Sequence, residues 1–257
     1  MVAVPWTRRR TVLDRIGHAR RAGLILLVTV VGVAATLRLG FWQLDRAAQK
    51  VAIQARIDAR RALPPLGNTD LATTPRTSEE QHERRVALRG TWHPERTVYL
   101  ENRQMDGRAG FYVVTPLGLE VRPESVLVQR GWVARNFADR TVLPPLPTPA
   151  GTVTIAGVIA PPPARLYEFA AAASGPIRQN LDLDAYARET GLQLLPLSVL
   201  QRDEAGVMTD GLRRNWPQPA LDLQKHYGYA FQWFALAALM AGLYVWFQLV
   251  RPRRQHD

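Results

Sequence analysis

The chain has 257 residues, 47% of them apolar, which is enough to bury a core and excludes a disordered chain. It has no cysteine, which excludes a disulfide scaffold, a CxxC redox pair, a thiolate-held zinc or iron–sulfur centre and a thiolate copper site. The formal charge of +11 suggests nucleic acid until its location is read: residues 1–21 and the tail after Val250 together supply +7, while residues 45–226 hold 23 basic and 20 acidic side chains.

Arginines beside apolar runs are the mark of cytoplasmic flanks of membrane spans, and a nucleic-acid partner is not expected. Residues 1–21 are therefore read as a cytoplasmic basic tail, carrying Arg8, Arg9, Arg10, Arg15, Arg20 and Arg21. Residues 22–44 form an apolar run broken only by Arg38, and they are expected to be a first transmembrane helix. Two other readings of this start are a twin-arginine export signal at 8–13 and a cleavage site at 33–35. The run is longer than the ~7–15 residues of a signal h-region, which favours a retained span. Arg38 would lie about 9 Å inside a boundary at Leu44 and could snorkel outward, or could meet something held between the helices.

Residues 45–61 lack Gly and Pro and should continue the first helix until Pro64-Pro65 stops it. Residues 64–82 read as a polar loop. Short strand signals follow at 85–90, 97–101, 110–115, 125–129 and 152–159, and their spacing favours an antiparallel sheet or a small barrel. Phe111, Val113, Leu127 and Ile155 should be buried as alternating residues on a covered face. Gly110 and Gly131 mark turns or strand ends, either as places with no room for a side chain or as mere connections, and the second reading is preferred. Residues 144–149 and 161–163 are proline-rich extended links. Residues 182–190 read as a short helix with Asp182 at its start and Gly191 past its end. A further strand is expected at 193–200, where Pro196 suggests an edge or a break.

Residues 227–250 carry no charge over 24 positions and place aromatics at both ends, as a second transmembrane helix requires. Residues 251–257 form a second cytoplasmic basic tail. The fold class expected is therefore an α+β membrane protein, with two transmembrane helices enclosing an extracytoplasmic antiparallel β-rich domain at 45–226. Both termini would be cytoplasmic.

No GxSxG, HExxH, SxxK, GxGxxG or P-loop pattern occurs, so no catalytic residue is assigned and an enzyme is not expected. Asp182 and Asp184 would point to different sides of a helix and suit capping and solvation better than a shared metal. Among the histidines His226 stands apart, because it precedes the second span at the membrane boundary. A neutral imidazole there could bind iron through one nitrogen while the other finds a hydrogen-bond partner; an ordinary interfacial histidine is the alternative. Gly40, Phe41, Trp42, Gln43 and Leu44 end the first span at the same boundary. Gly40 would let the helices approach, and Trp42 and Gln43 would offer an apolar face and a polar group toward His226. An interface belt of aromatics is the alternative reading.

These segments resemble the Surfeit locus protein 1 family of cytochrome c oxidase assembly factors. The resemblance is carried by LGFWQLDRAAQK (39–50), VALRGTW (86–92), GFYVVTPL (110–117), VLVQRGWV (126–133) and HYGYAFQWF (226–234), in family order. The chain departs from the family pattern at Gln129 and at Lys225, where asparagine is usual. Lys225 alters the charge beside any ligand.

The resemblance implies an assembly factor of the bacterial inner (plasma) membrane that binds heme A and aids its insertion into the catalytic subunit of a heme–copper oxidase. It also implies a possible contact with heme A synthase. His226 would be the iron ligand, with Trp42 and Phe234 against the macrocycle and Gln43, Arg46 and Tyr229 as polar contacts at the boundary. The competing reading is a cofactor-free membrane scaffold that holds an oxidase subunit. Copper delivery is disfavoured by the lack of cysteine and by Met105 and Met208 being the external methionines.

Overall fold

A computed structural model describes residues 12–136, 139, 142–166, 175–203, 210–217 and 222–251. The basic residues at 8–10, 253 and 254, with Met208 and His256, lie outside the described residues. By contacts the chain divides into two units: residues 1–54 with 220–257, and residues 55–219.

The first unit is built on two helices. Helix α1 runs unbroken over Val12–Ala62, so the apolar run and its polar continuation form one element. Helix α4 spans Leu223–Val245 and passes into a π-helical turn over Trp246–Val250. Both contain stretches long and apolar enough to cross a membrane. Only 11% and 6% of the residues in their most apolar 18-residue windows are buried. The core helix of a soluble protein hides such a face, and these two helices do not.

The second unit opens with the last turns of α1. Arg61 pairs with Glu83 through Nη2 at 2.6 Å, and Arg60 Nη1 donates to the His82 carbonyl at 3.0 Å. The chain after Ala62 then turns at the prolines. The loop expected over 64–82 contains a second helix, α2 (Pro75–Gln81). Thr74 caps it by accepting from the Thr77 N–H, and Pro75 fills the first turn, where no N–H is needed.

Seven strands form one sheet: β1 (Arg85–Trp92), β2 (Val98–Met105), β3 (Arg108–Leu119), β4 (Ser125–Ala134), β5 (Thr152–Ala160), β6 (Ile177–Arg178) and β7 (Leu194–Gln201). Their order is β1-β5-β7-β4-β3-β2-β6, and β1 also pairs with β3. That extra pairing closes a ring of β1, β5, β7, β4 and β3. The length of β3 makes closure possible: residues 98–105 of β2 cover its first part, and residues 90–92 of β1 reach its end at 117–119. Asp106 and Gly107, with φ of 50° and 74°, make the tight turn that joins β2 to β3.

The sheet is mixed, which corrects the antiparallel expectation. β4 runs parallel to β7, and β2 runs parallel to the two-residue β6. β7 also lies between β5 and β4, so Pro196 is not on an edge strand. It sits where the register with β4 jumps from Leu194 to Ser198, and its carbonyl accepts from Ser78 Oγ at 3.0 Å. A proline is tolerated in a central strand at such an irregularity.

Phe111, Val113, Leu127 and Ile155 are buried as expected. The largest apolar cluster fills the ring around Leu88, Leu117, Val126, Val128, Leu197 and Val199. A second lies under helix α3 (Leu183–Thr190), centred on Leu100, Leu127 and Tyr186. Asp182 caps α3 by accepting from the Ala185 N–H at 2.9 Å, and Gly191 ends it at φ 72°.

The two glycines read as connections are instead close approaches inside strands. A Cβ on Gly110 would collide with the Val133 carbonyl and lie 2.6 Å from the Trp132 ring; one on Gly131 would lie 2.7 Å from Leu212 Cβ. Arg130 and Gly131 belong to β4 at a bulge opposite Val113 and Val114, not to a turn. Arg130 is 2% exposed. It donates to Thr148 Oγ1, the Pro147 carbonyl and Asp210 Oδ2, and its guanidinium lies 4.8 Å from the Trp92 ring centroid.

Candidate functional site

The helix pair meets along a narrow seam. On α1 Thr36, Gly40 and Ala47 are buried and Gln43 is half-buried; on α4 Ala230 and Ala237 are buried and His226 and Phe234 are half-buried. Spacings of three and four residues keep such a set on one face of a helix. Small residues dominate the seam, and they let two helices approach closely.

Gly40 is the closest point. A Cβ there would lie 2.6 Å from Phe234 Cε1, so the ring occupies the space that any side chain would need. Phe41 meets the same ring edge-on, with centroids 5.2 Å apart. Farther along, Gly32 faces the Met240 sulfur at 3.3 Å by the same measure.

One helical turn beyond Gly40, the polar pair forms. Gln43 Oε1 and His226 Nδ1 are 2.8 Å apart, and both side chains are half-buried. The structure thus brings Gln43 and His226 together, and one ring nitrogen of His226 is engaged while the other is left for a further partner. Trp42, 44% exposed, lies on the outer surface of α1. Arg46 sits one turn later with its guanidinium 6.0 Å from the Trp42 ring centroid. Its Nη1 donates to Gln49 Oε1 at 3.1 Å, and Gln49 in turn donates to Asp45 Oδ2 at 2.8 Å. Tyr229 is 52% exposed. Phe234 differs from Trp42 in that much of its ring is taken up by the helix contact with Gly40 and Phe41.

Phe41 and Gln49 were not singled out from the sequence as site residues. A signal for Phe41 exists in its place beside Gly40. Gln49 could have been found from its spacing of three and four residues from Arg46 and Asp45.

The β unit holds a cleft of about 620 Å³ lined by Ser78, Glu79, His82, Arg165, Asp182 and Asp184. Several of its side chains are already partnered, while His82 Nε2 is buried without a hydrogen-bond partner. Ser78 Oγ donates to the Pro75 and Pro196 carbonyls, and Asp182 caps α3 while pairing with Arg165. Burial holds the His82 imidazole below its ordinary pKa. No serine–histidine pair forms in it, and no group of three or more His, Asp or Glu side chains suited to a metal occurs among the described residues.

A family model described as the SURF1 family matches residues 30–238, a range that takes in both the Gly40–Gln43 turn and the start of α4. A SURF1-like protein of Rickettsia bellii is 25% identical over 209 residues, covering 80% of this chain and 83% of its own length. A SURF1-like protein of Rickettsia felis is 29% identical over 112 residues, 43% of this chain and 46% of that one. The cytochrome oxidase assembly protein SHY1 of Saccharomyces cerevisiae is 27% identical over 98 residues, 38% of this chain and 25% of its own. The aligned stretch is thus under half the length of the last two relatives.

Proposed function

The chain belongs to the SURF1 family, and from that premise we propose that it is an assembly factor for a heme–copper cytochrome c oxidase. In this reading it binds heme A on its helix pair and aids insertion of the heme into the catalytic subunit. The two helices span the bacterial inner membrane with both termini cytoplasmic, and the β unit is extracytoplasmic. The name of the yeast relative supports the oxidase role. The arginine-rich ends support the orientation.

The observation that carries the heme reading is the Gln43–His226 pair at 2.8 Å. It engages one ring nitrogen of His226 and leaves the other for a further partner, at the end of a helix pair with exposed aromatics around it. The donor set suits a heme. His226 would hold the iron through a ring nitrogen, Trp42 and the free edge of Phe234 would give apolar contact, and Tyr229 and Arg46 would be polar contacts at the boundary, with the planar Arg46 cation suited to a propionate carboxylate. Heme, when bound, supplies an iron that accepts a nitrogen lone pair; the chain holds, orients and shields it. The catalytic subunit would be the recipient and heme A synthase a candidate supplier. In this reading the chain acts as an assembly factor and not as an enzyme.

The test is purification from a heme A-producing host. The wild-type chain should carry a heme absorption spectrum, and folded, membrane-inserted His226→Ala should lose it. Full heme in folded His226→Ala would overturn the site, and a wild-type chain that supports oxidase assembly without any heme spectrum would favour the cofactor-free scaffold.

A further inference from the structure

The bond between the two helices does more than join them. An amide oxygen accepts hydrogen bonds and cannot donate, so a contact of 2.8 Å between Gln43 Oε1 and His226 Nδ1 requires the proton to be on Nδ1. A neutral imidazole carries one N–H. Nε2 must then hold the lone pair.

We infer that Gln43 is a positioning residue for His226: through its amide oxygen, α1 sets the tautomer and ring orientation with which α4 presents Nε2. This deepens the reading of His226 as the heme ligand and rests on it. In water the Nε2–H form of a histidine side chain predominates, which would leave the lone pair on Nδ1, crowded by the backbone. Holding the proton on Nδ1 reverses that preference and exposes the accessible nitrogen. A hydrogen bond to the non-ligating nitrogen also fixes the ring against rotation about its Cβ–Cγ bond.

The seam makes the arrangement specific. Gly40 lies three residues before Gln43, and the Phe234 ring fills the space above it. Sliding the helices past one another by one turn would move them ~5.4 Å and separate Gln43 from His226. The alignment that Gly40 and Phe234 impose is therefore the alignment that the hydrogen bond needs.

The experiment uses the full chain in detergent micelles, with histidine ring nitrogens labelled with ¹⁵N. In cofactor-free protein at alkaline pH, the His226 signal, assigned by its loss in His226→Ala, should report Nδ1–H and an unprotonated Nε2. Gln43→Leu should shift it toward the Nε2–H form, and Gln43→Glu, which keeps an acceptor, should preserve Nδ1–H. Titration with hemin should then show affinity lowered roughly 10- to 100-fold in Gln43→Leu and restored in Gln43→Glu. An Nε2–H tautomer in the wild-type chain, or an unchanged tautomer in folded Gln43→Leu, overturns the inference. If Gln43→Leu does not fold, the wild-type tautomer decides. Hemin affinity unchanged in His226→Ala would instead overturn the ligand reading, so the two failures are distinguishable.

Discussion

In the β unit, Leu88, Leu100, Leu117 and Leu127 have no exposed surface, whereas on the helices Leu27, Val28 and Phe231 leave 60%, 63% and 75% of theirs uncovered. The same residue types are thus disposed in opposite ways. The β unit satisfies itself by closing a ring and packing both sides of β4. The helix pair buries little beyond a seam of small residues and directs its bulk outward. One unit carries its solvent-excluding core within it; the other leaves its apolar surface uncovered. The exposed aromatics Trp42 and Tyr229 and the Gln43–His226 pair all belong to the unit that does not bury its apolar surface.

The strongest way to break this comparison is to disturb each unit alone. Gly110→Val should be the most damaging single change, since the new side chain would drive into the Val133 carbonyl and the Trp132 ring. A cost of at least about 3 kcal/mol is expected, because backbone must move to make room. Thermal unfolding of the full chain in detergent should show the loss, and hydrogen exchange should place it in the β unit. Gly40→Leu should act in the other unit. It should separate the helices by displacing Phe234, abolish the Gln43–His226 bond, and leave the exchange protection of the β strands unchanged. Loss of protection in both units would show that they are not independent.

Much of this division was legible in the sequence. The charge-free run at 227–250 and the run at 22–44 announce apolar helices through length alone. The strands were visible because alternation survives in β1, whose residues from Arg85 to Trp92 alternate between exposed and buried. Helix α2 was hidden because PRTSEEQ has no apolar stripe and begins with proline, a residue that breaks helices inside but suits their first turn. The parallel pairing of β4 with β7 joins segments about 70 residues apart, and no local pattern encodes it. Gly110 and Gly131 looked like connectors because a glycine needed for space resembles one needed for a turn. In the candidate site, the proximity of Gln43 to His226 was anticipated from their shared boundary. The use of Phe234 as the spacer over Gly40 was not, since an aromatic on a span is equally suited to an interface belt.

A smaller effect sharpens the account of the β unit. Burial pushes the Tyr186 hydroxyl up to about 12, with its OH donating to the Arg96 carbonyl. A raised pKa means that the native state favours the neutral phenol. The associated stability is therefore complete below the unfolded value of about 10 and lost as pH rises through about 12. Melting temperatures measured across that window should fall for the wild-type chain and fall less steeply for Tyr186→Phe. Parallel slopes would show that this hydroxyl is not what alkali attacks.

The central claim is that the helix pair holds heme through the His226 imidazole, and ligand replacement tests it most directly. His226→Gly should be prepared as the full chain in detergent and titrated with hemin, with and without added imidazole. Binding should be weak in the variant, return when imidazole supplies the missing nitrogen, and show the same spectrum as the wild-type complex. Hemin binding by His226→Gly at wild-type affinity without imidazole would contradict the claim.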